Sequence, residues 1–198
     1  MKTLIIALLL FFIACSDSQT NLYELEEVNG YPVVAGSLNG LMWYIDDPDN
    51  KTTRIVQMNY SNAVKHCDGM DHAGFSDWRL PTISELRTLV VGFRDIEPGG
   101  RCSVSDNCLK YSCIFQGRKE ENDHPCSNNV EDADLNGPGP EGCYFDDVWR
   151  TYCGKYWSSS KIEDTENQVF QIDFVKPSIV PVYTDNSNFA FPRCVREQ

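Results

Sequence analysis

A short run of oxygen-bearing side chains is the clearest candidate for binding chemistry. Asp132, Asp134 and Asn136 lie at alternate positions and a glycine follows, which is the D-x-D-x-N-G pattern of calcium loops. Oxygens at this spacing can converge on one Ca²⁺ ion, and the glycine permits the sharp turn. Cys143 stands where such loops place a closing bidentate glutamate. The pattern predicts either a solvated acidic loop or a calcium site completed by another carboxylate, the candidates being Glu141, Asp146 and Asp147.

Cysteine is the reactive residue whose frequency is most unusual, with nine in 198 residues. Setting aside Cys15, which belongs to the N-terminal segment discussed below, leaves nine minus one, or eight. An even number in an exported domain predicts four disulfides. Zinc is the competing interpretation, but there is no C-x-x-C pair and the three histidines stand at no usual ligand spacing. The eight cysteines are Cys67, Cys102, Cys108, Cys113, Cys126, Cys143, Cys153 and Cys194.

No pattern typical of catalysis stands out in the sequence. Ser158 and Lys161 match S-x-x-K, but that acyl-transfer motif needs its serine at a helix N-terminus, and these residues belong to a strand-like run. The G-x-S-x-G, H-E-x-x-H, P-loop and dinucleotide-binding patterns do not occur. We therefore assign no catalytic residue, and a binding function is favoured.

The charge balance narrows the classes of ligand. The chain has 17 lysines and arginines against 29 aspartates and glutamates, a net charge of −12. Such a protein gains nothing from counterion release on DNA or RNA, so we expect no nucleic-acid partner. Sulfated polymers are disfavoured for the same reason unless a local basic patch exists. The candidates for that patch are Arg87, Arg94, Arg101, Lys110, Arg118 and Lys119.

The first residues predict export and attachment to a membrane. Leu4 to Ala14 is an unbroken apolar run that would span about 16 Å as a helix, roughly half the hydrocarbon core of a bilayer. Residues 1–14 are therefore predicted to be a signal peptide. Ala14 followed by Cys15 resembles a bacterial lipoprotein signal, in which the cysteine becomes the lipidated first residue. The resemblance implies an anchor in the bacterial membrane, with the outer membrane or cell surface favoured by Ser16. The alternative is an ordinary cleaved signal beside an unmodified cysteine.

Composition divides the rest of the chain into a tether and one domain. Residues 15–29 are polar and acidic and are predicted to be a flexible tether, and residues 30–198 form the domain. Within it, the hydrophobic periodicity disappears over residues 93–153, where six of the eight cysteines lie. We interpret this segment as an insertion held by disulfides rather than by a core.

Regular elements flank the insertion on both sides and must position the candidate calcium loop and the cysteines. Strand-like runs cover residues 31–45, and a short helix is predicted over residues 60–67. Thr82 followed by Glu85 is a capping box that starts a second helix, which Gly92 is placed to end. Further strands are predicted over residues 156–159, 169–174, 179–183 and 190–196. This order indicates an α+β fold.

Four motifs, in order along the chain, resemble those of one bacterial domain family of unassigned function. They are NAVKHC at residues 62–67, GFSDWRLPT at residues 74–82 with Glu85 and Leu86 following, YWSS at residues 156–159, and RCVR at residues 193–196. The family includes the C-terminal domain of the Legionella collagen-like adhesin. The resemblance covers about residues 41–196, and the cysteine-rich insertion departs from the family pattern.

The resemblance carries expectations about the fold, because the family is similar to C-type lectin-like domains. It implies two helices with antiparallel strands, to which this chain adds a long disulfide-rich loop as an insertion. It also implies a disulfide between Cys67 on the first helix and Cys194 near the last strand. Cys143 and Cys153 are a candidate local pair, and the remaining four cysteines cannot be assigned.

Most of the motif residues are expected to be structural. Trp78 is expected to anchor the core because of the area that a tryptophan buries. Arg79 is expected to bond loop carbonyls or a carboxylate, either Asp77 or Glu85. Strand alternation is expected to place Trp157 inside, the alternative being a ligand groove. The structural set is Trp78, Arg79, Leu80, Pro81, Thr82, Glu85 and Trp157.

Together these observations predict a cell-envelope lipoprotein whose C-type lectin-like domain binds a polysaccharide or an envelope protein and is not an enzyme. Calcium is the one cofactor suggested. The sugar-binding tripeptides of calcium-dependent lectins, Glu-Pro-Asn and Gln-Pro-Asp, are absent; Glu97-Pro98-Gly99 is nearest and lacks the third oxygen. One alternative is an enzyme related to the formylglycine-generating fold, which would carry a reactive thiol. Another is a purely structural envelope protein, which would show no saturable binding.

Overall fold

The computed structural model describes residues 23–36, 39–45, 55–127, 137–139, 142–149 and 152–198. The predicted signal peptide, the predicted lipidation site at Cys15 and the candidate calcium loop of Asp132, Asp134 and Asn136 lie outside these residues. No helix within the described ranges is long and apolar enough to cross a membrane.

The described residues form seven strands and two α-helices. In chain order these are β1 (Tyr23–Val28), β2 (Tyr31–Gly36), β3 (Leu41–Tyr44), α1 (Tyr60–Asp68), α2 (Ile83–Arg87), β4 (Lys155–Lys161), β5 (Gln168–Asp173), β6 (Ser178–Tyr183) and β7 (Val195–Glu197). The strands make two antiparallel sheets, one of order β1-β2-β3-β7 and one of order β4-β5-β6. The α+β prediction is therefore confirmed.

The prediction of a flexible tether over residues 15–29 is wrong where the structure describes it. Tyr23–Val28 is strand β1, which pairs with β2 along its whole length. The connecting turn is Asn29-Gly30, and both residues have positive φ, 52° and 82°, as a two-residue hairpin turn requires. The acidic run hid the strand because four of its side chains, residues 24–27, stay exposed on both faces.

The second helix begins as predicted and ends early. Thr82 accepts a hydrogen bond from the Glu85 N–H while the Glu85 carboxylate accepts one from the Thr82 N–H, which completes the capping box. The helix ends at Arg87 rather than near Gly92. From Thr88 to Val90 the backbone N–H groups bond to carbonyls three residues back, so the chain tightens into turns before it reaches that glycine.

The insertion contributes to the main core, contrary to the prediction that disulfides alone hold it. Ile96, Val104, Phe145 and Trp149 are buried in the same cluster as β3, α2 and β5. Trp149 contacts both Tyr23 and Trp43 edge-on, with ring centroids 5.0 and 5.7 Å apart. The segment shows no hydrophobic periodicity because these buried side chains come from irregular loops rather than from one face of a helix or strand.

All eight cysteines in the described ranges are paired. Cys67 is joined to Cys194 and Cys143 to Cys153, the two pairings expected from the sequence. The four that could not be assigned form Cys102–Cys126 and Cys108–Cys113. The first bridge joins α1 to the residue before β7 across 127 positions, whereas the other three lie within the insertion.

Candidate binding groove

A groove runs along α2, between the sheet that contains β1 and the start of the insertion. It has two compartments that share Asn39 and Thr88, and we call the whole the α2 groove. The polar compartment, of about 520 Å³, is lined by Asn39, Gly40, Leu41, Ser84, Glu85, Thr88, Glu197 and Gln198. The apolar compartment, of about 450 Å³, is lined by Tyr23, Asn39, Thr88, Val90, Val91, Glu97 and Pro98. Both volumes lie in the range of small-molecule sites.

A chain of hydrogen bonds fixes the floor where the compartments meet. The Tyr23 hydroxyl donates to Thr88 Oγ1 at 2.5 Å, and the Thr88 hydroxyl donates to the Glu85 carbonyl at 2.6 Å. Asn39 Nδ2 donates to the Tyr23 oxygen at 3.5 Å. Burial raises the pKa of Tyr23, although hydrogen bonds to Thr88 and Asn39 act the other way. The phenol is therefore neutral at physiological pH, and the groove presents fixed hydroxyl and amide groups.

Glu85 forms part of the wall of the polar compartment and is held from two sides. Its oxygens accept from both terminal nitrogens of Arg79, at 2.7 and 2.8 Å, and from the Thr82 N–H at 2.7 Å. Burial would raise the pKa of Glu85, but the hydrogen bonds from Arg79 and the Thr82 backbone outweigh it, and the pKa is lowered. The groove thus contains a charged carboxylate with a fixed position.

The wall of the apolar compartment comes from the insertion and is held by a buried arginine. Arg87 is 5% exposed, and its guanidinium donates to three carbonyl oxygens: Ile96 at 2.7 Å, Glu97 at 2.9 Å and Val104 at 2.5 Å. Glu97 is held as well, because its Oε1 accepts from the Gly92 N–H at 2.8 Å. Residues of α2 therefore line the polar compartment, while Arg87 positions the loop that contributes Glu97 and Pro98 to the apolar compartment.

The structure does not support the predicted basic patch. Arg87 is buried, and burial lowers the pKa of its guanidinium. Arg101 is paired with Asp95 at 2.5 Å and with Asp123 at 2.6 Å. Arg118 donates to the carbonyls of Glu121 and Asp123 and lies over the Phe115 ring. Three of the six candidate residues are therefore engaged in contacts within the protein, which weakens the case for a cation cluster that a sulfated polymer would need.

The motif residues support the site rather than form it. Trp78 is buried and its indole N–H donates to backbone carbonyls, and Trp157 is fully buried with its N–H bonded to the Met58 carbonyl at 2.8 Å. Arg79 pairs with Glu85, whereas Asp77 pairs with Arg196 at 2.7 Å. Leu80 and Pro81 are buried beside the cap at Thr82. Among the motif residues, Glu85 is the one that the described groove lining includes.

Sequence reasoning missed most of the groove. The composition places Tyr23 in the tether, and the capping pattern places Thr88 inside a longer helix. In the sequence, Glu97 and Pro98 form only an incomplete sugar-binding tripeptide, yet both line the apolar compartment. Within the described part of the chain, no group of three or more metal-ligating side chains occurs, and none lies in the groove.

Comparison with known proteins adds one finding. The sequence model of the family described as the Lcl C-terminal domain matches residues 32–196. That family is adhesin-type and non-enzymatic, so the match indicates an adhesin-like protein of the bacterial surface. No curated protein and no solved structure matches the chain.

Proposed function

Since this chain belongs to the Lcl C-terminal domain family, we propose that it is a surface adhesin that binds a polysaccharide in the α2 groove. The observation that carries the proposal is the fixed floor of Tyr23, Thr88 and Asn39, which is bonded to the backbone carbonyl of Glu85. The Glu85 carboxylate lies in the lining of the polar compartment beside it. Sugars are bound through hydroxyl, amide and carboxylate groups that hold still while the ligand docks, because ordering them on binding would cost affinity. Because the two compartments share Asn39 and Thr88, a chain of linked sugars can occupy both at once.

The proposal includes a C-type lectin-like fold. It is supported by the bridge between α1 and the residue before β7, which ties the end of the domain to its first helix. It is also supported by the pairing of β7 with β3, which places the last strand in the sheet of the first three.

The binding proposal is tested with a glycan and polysaccharide array, probed with the purified protein in calcium and again in EDTA. We expect saturable binding, reduced about tenfold by Asn39→Ala through loss of hydrogen bonds. Asn62→Ala, an exposed asparagine on α1, is the matched control and is expected to bind normally. Binding lost in EDTA supports calcium held by Asp132, Asp134 and Asn136, and binding that survives EDTA removes calcium from the proposal. No glycan binding in either condition contradicts the polysaccharide and leaves an envelope protein as the partner.

The lipid anchor at Cys15 is also a proposal. Cells that express the protein and are fed labelled palmitate should incorporate the label into the wild type and not into Cys15→Ala. Equal labelling of the two proteins would exclude Cys15 as the attachment point.

A further inference from the structure

The apolar compartment has a combination of groups that a plain polyhydroxyl chain does not use. We propose that it receives the acetamido group of an N-acetylhexosamine, so that the groove selects uncharged N-acetylated polysaccharides. This inference deepens the proposed function and rests on it. An acetamido group offers one methyl, one N–H donor and one carbonyl acceptor, and each has a matching group in the compartment.

The methyl group is matched by an aliphatic wall. Val90, Val91 and Pro98 line the compartment, and Val91 keeps 37% of its surface exposed. Hexose hydroxyls gain nothing against this wall, since they would lose water without finding a partner. A methyl group would cover it and lose no hydrogen bond.

The N–H donor is matched by Glu97. One carboxylate oxygen, Oε1, accepts from the Gly92 N–H, and the other has no hydrogen-bond partner within the part of the chain that the structure describes. A carboxylate beside an aliphatic wall is a strong acceptor for an amide N–H. Asn39 Nδ2 has a second hydrogen to donate to the acetamido carbonyl, because its bond to the Tyr23 oxygen uses only one of its two hydrogens.

Position and charge argue for an acetylated sugar over a sulfated one. Arg87 holds the Glu97 wall through three carbonyls, so the compartment is formed before ligand arrives. Among the described lining residues, carboxylates occur at Glu85, Glu97 and Glu197, and no lysine or arginine is present. Sulfate groups would meet like charge in both compartments.

The test uses calorimetry on the purified protein with matched tetrasaccharides in β-1,4 and β-1,6 linkage. Each backbone is supplied as the N-acetylglucosamine, the glucose and the glucosamine form. We expect at least one N-acetylated form to bind about tenfold tighter than its glucose and glucosamine counterparts. Equal or tighter binding of the glucosamine forms would show that the carboxylates attract an ammonium, which overturns the inference. Failure to bind either acetylated form also overturns it, while a positive array would still support the proposed function.

Two variants locate the effect. Val91→Ser is expected to weaken binding of the preferred acetylated tetrasaccharide about fivefold and to leave the glucose form unchanged. Val56→Ser alters an exposed valine, 60% accessible, outside the groove and is expected to change neither. Glu97→Gln keeps the bond to Gly92 and the side-chain shape but weakens the acceptor, so it should also lower the affinity for the acetylated form. Unchanged affinity in both groove variants, with melting temperatures like that of the wild type, would place the ligand elsewhere.

Discussion

At the scale of single residues, Glu85 joins the family motif to the groove. The same carboxylate caps α2, pairs with Arg79 and lines the polar compartment. The Arg79 backbone in turn bonds to Val195 in both directions, so the ion pair ties the helix start to β7. The capping box, which is a local sequence signal, therefore also fixes one wall of the groove.

Glu85→Gln is expected to lower the free energy of unfolding by about 1.5–3 kcal/mol at neutral pH, since a charged hydrogen-bonded pair is lost. Because the folded-state pKa of Glu85 is lowered, this stabilisation is complete above the ordinary glutamate pKa of about 4.3. It is lost as the pH falls through the lower folded value. Urea unfolding from about pH 7 to about pH 2 should show the gap between wild type and variant closing in acid.

The control for this series is Glu163→Gln, which changes an exposed glutamate whose side chain has no bond to another described residue. It should track the wild type at every pH. A gap for Glu85→Gln that stays constant into acid would mean that the charge of Glu85 contributes nothing.

At the scale of elements, the insertion is attached to α2 through shared core packing and through one buried guanidinium. Arg87 supplies three hydrogen bonds to carbonyls at Ile96, Glu97 and Val104, in a region where the chain has no regular structure of its own. The Cys102–Cys126 bridge closes the same segment. The disulfide restricts the conformations that the loop can adopt, and Arg87 fixes the distance between the loop and α2.

Arg87→Lys is expected to loosen this segment selectively, because an ammonium cannot reproduce the planar fork that reaches three carbonyls. Amide hydrogen exchange should accelerate over residues 96–104, while the amides of β4 and β5 keep their protection. Arg196→Lys, at an arginine that pairs with Asp77 and lies outside this segment, is the comparison variant and is expected to leave exchange over residues 96–104 unchanged. Uniform acceleration across the whole domain would show that Arg87 contributes to global stability and not to the position of this wall.

At the scale of the whole molecule, covalent bridges complement a core that the insertion completes. Every cysteine in the described ranges is in a bridge, and the longest bridge closes 127 residues whereas the shortest closes 5. In the chain-entropy description, stabilisation grows with the logarithm of loop length. The bridge between α1 and the residue before β7 is therefore expected to make the largest single covalent contribution.

The double variant Cys67→Ser with Cys194→Ser is expected to lower the free energy of unfolding by about 4–5 kcal/mol, and Cys108→Ser with Cys113→Ser by about 2 kcal/mol. Urea unfolding of both double variants and the wild type measures the difference. Thiol titration of the unreduced, denatured variants confirms that the other bridges remain. Equal losses in the two double variants would show that loop length does not control the effect.

The sequence by itself determined the features that depend on neighbours along the chain. These are the capping box at Thr82 and Glu85, the short helix that carries Cys67, the strand-like runs that flank the insertion, the even number of cysteines after Cys15, and the family motifs. Each depends on residue spacing or composition within a short stretch of sequence, so it can be recognised without knowledge of tertiary contacts. The family assignment follows from several such local motifs in order.

Only the tertiary structure decided where the groove lies. Tyr23 and Thr88 are 65 residues apart and meet in one hydrogen bond, and β1 becomes a strand because β2 offers it a partner. The sequence alone favours a surface position for Arg87. In the structure, its guanidinium is bonded to three carbonyls of a loop that has no regular secondary structure. Such contacts have no local signature, since burial and hydrogen-bond satisfaction are settled by groups that the chain brings together from far apart.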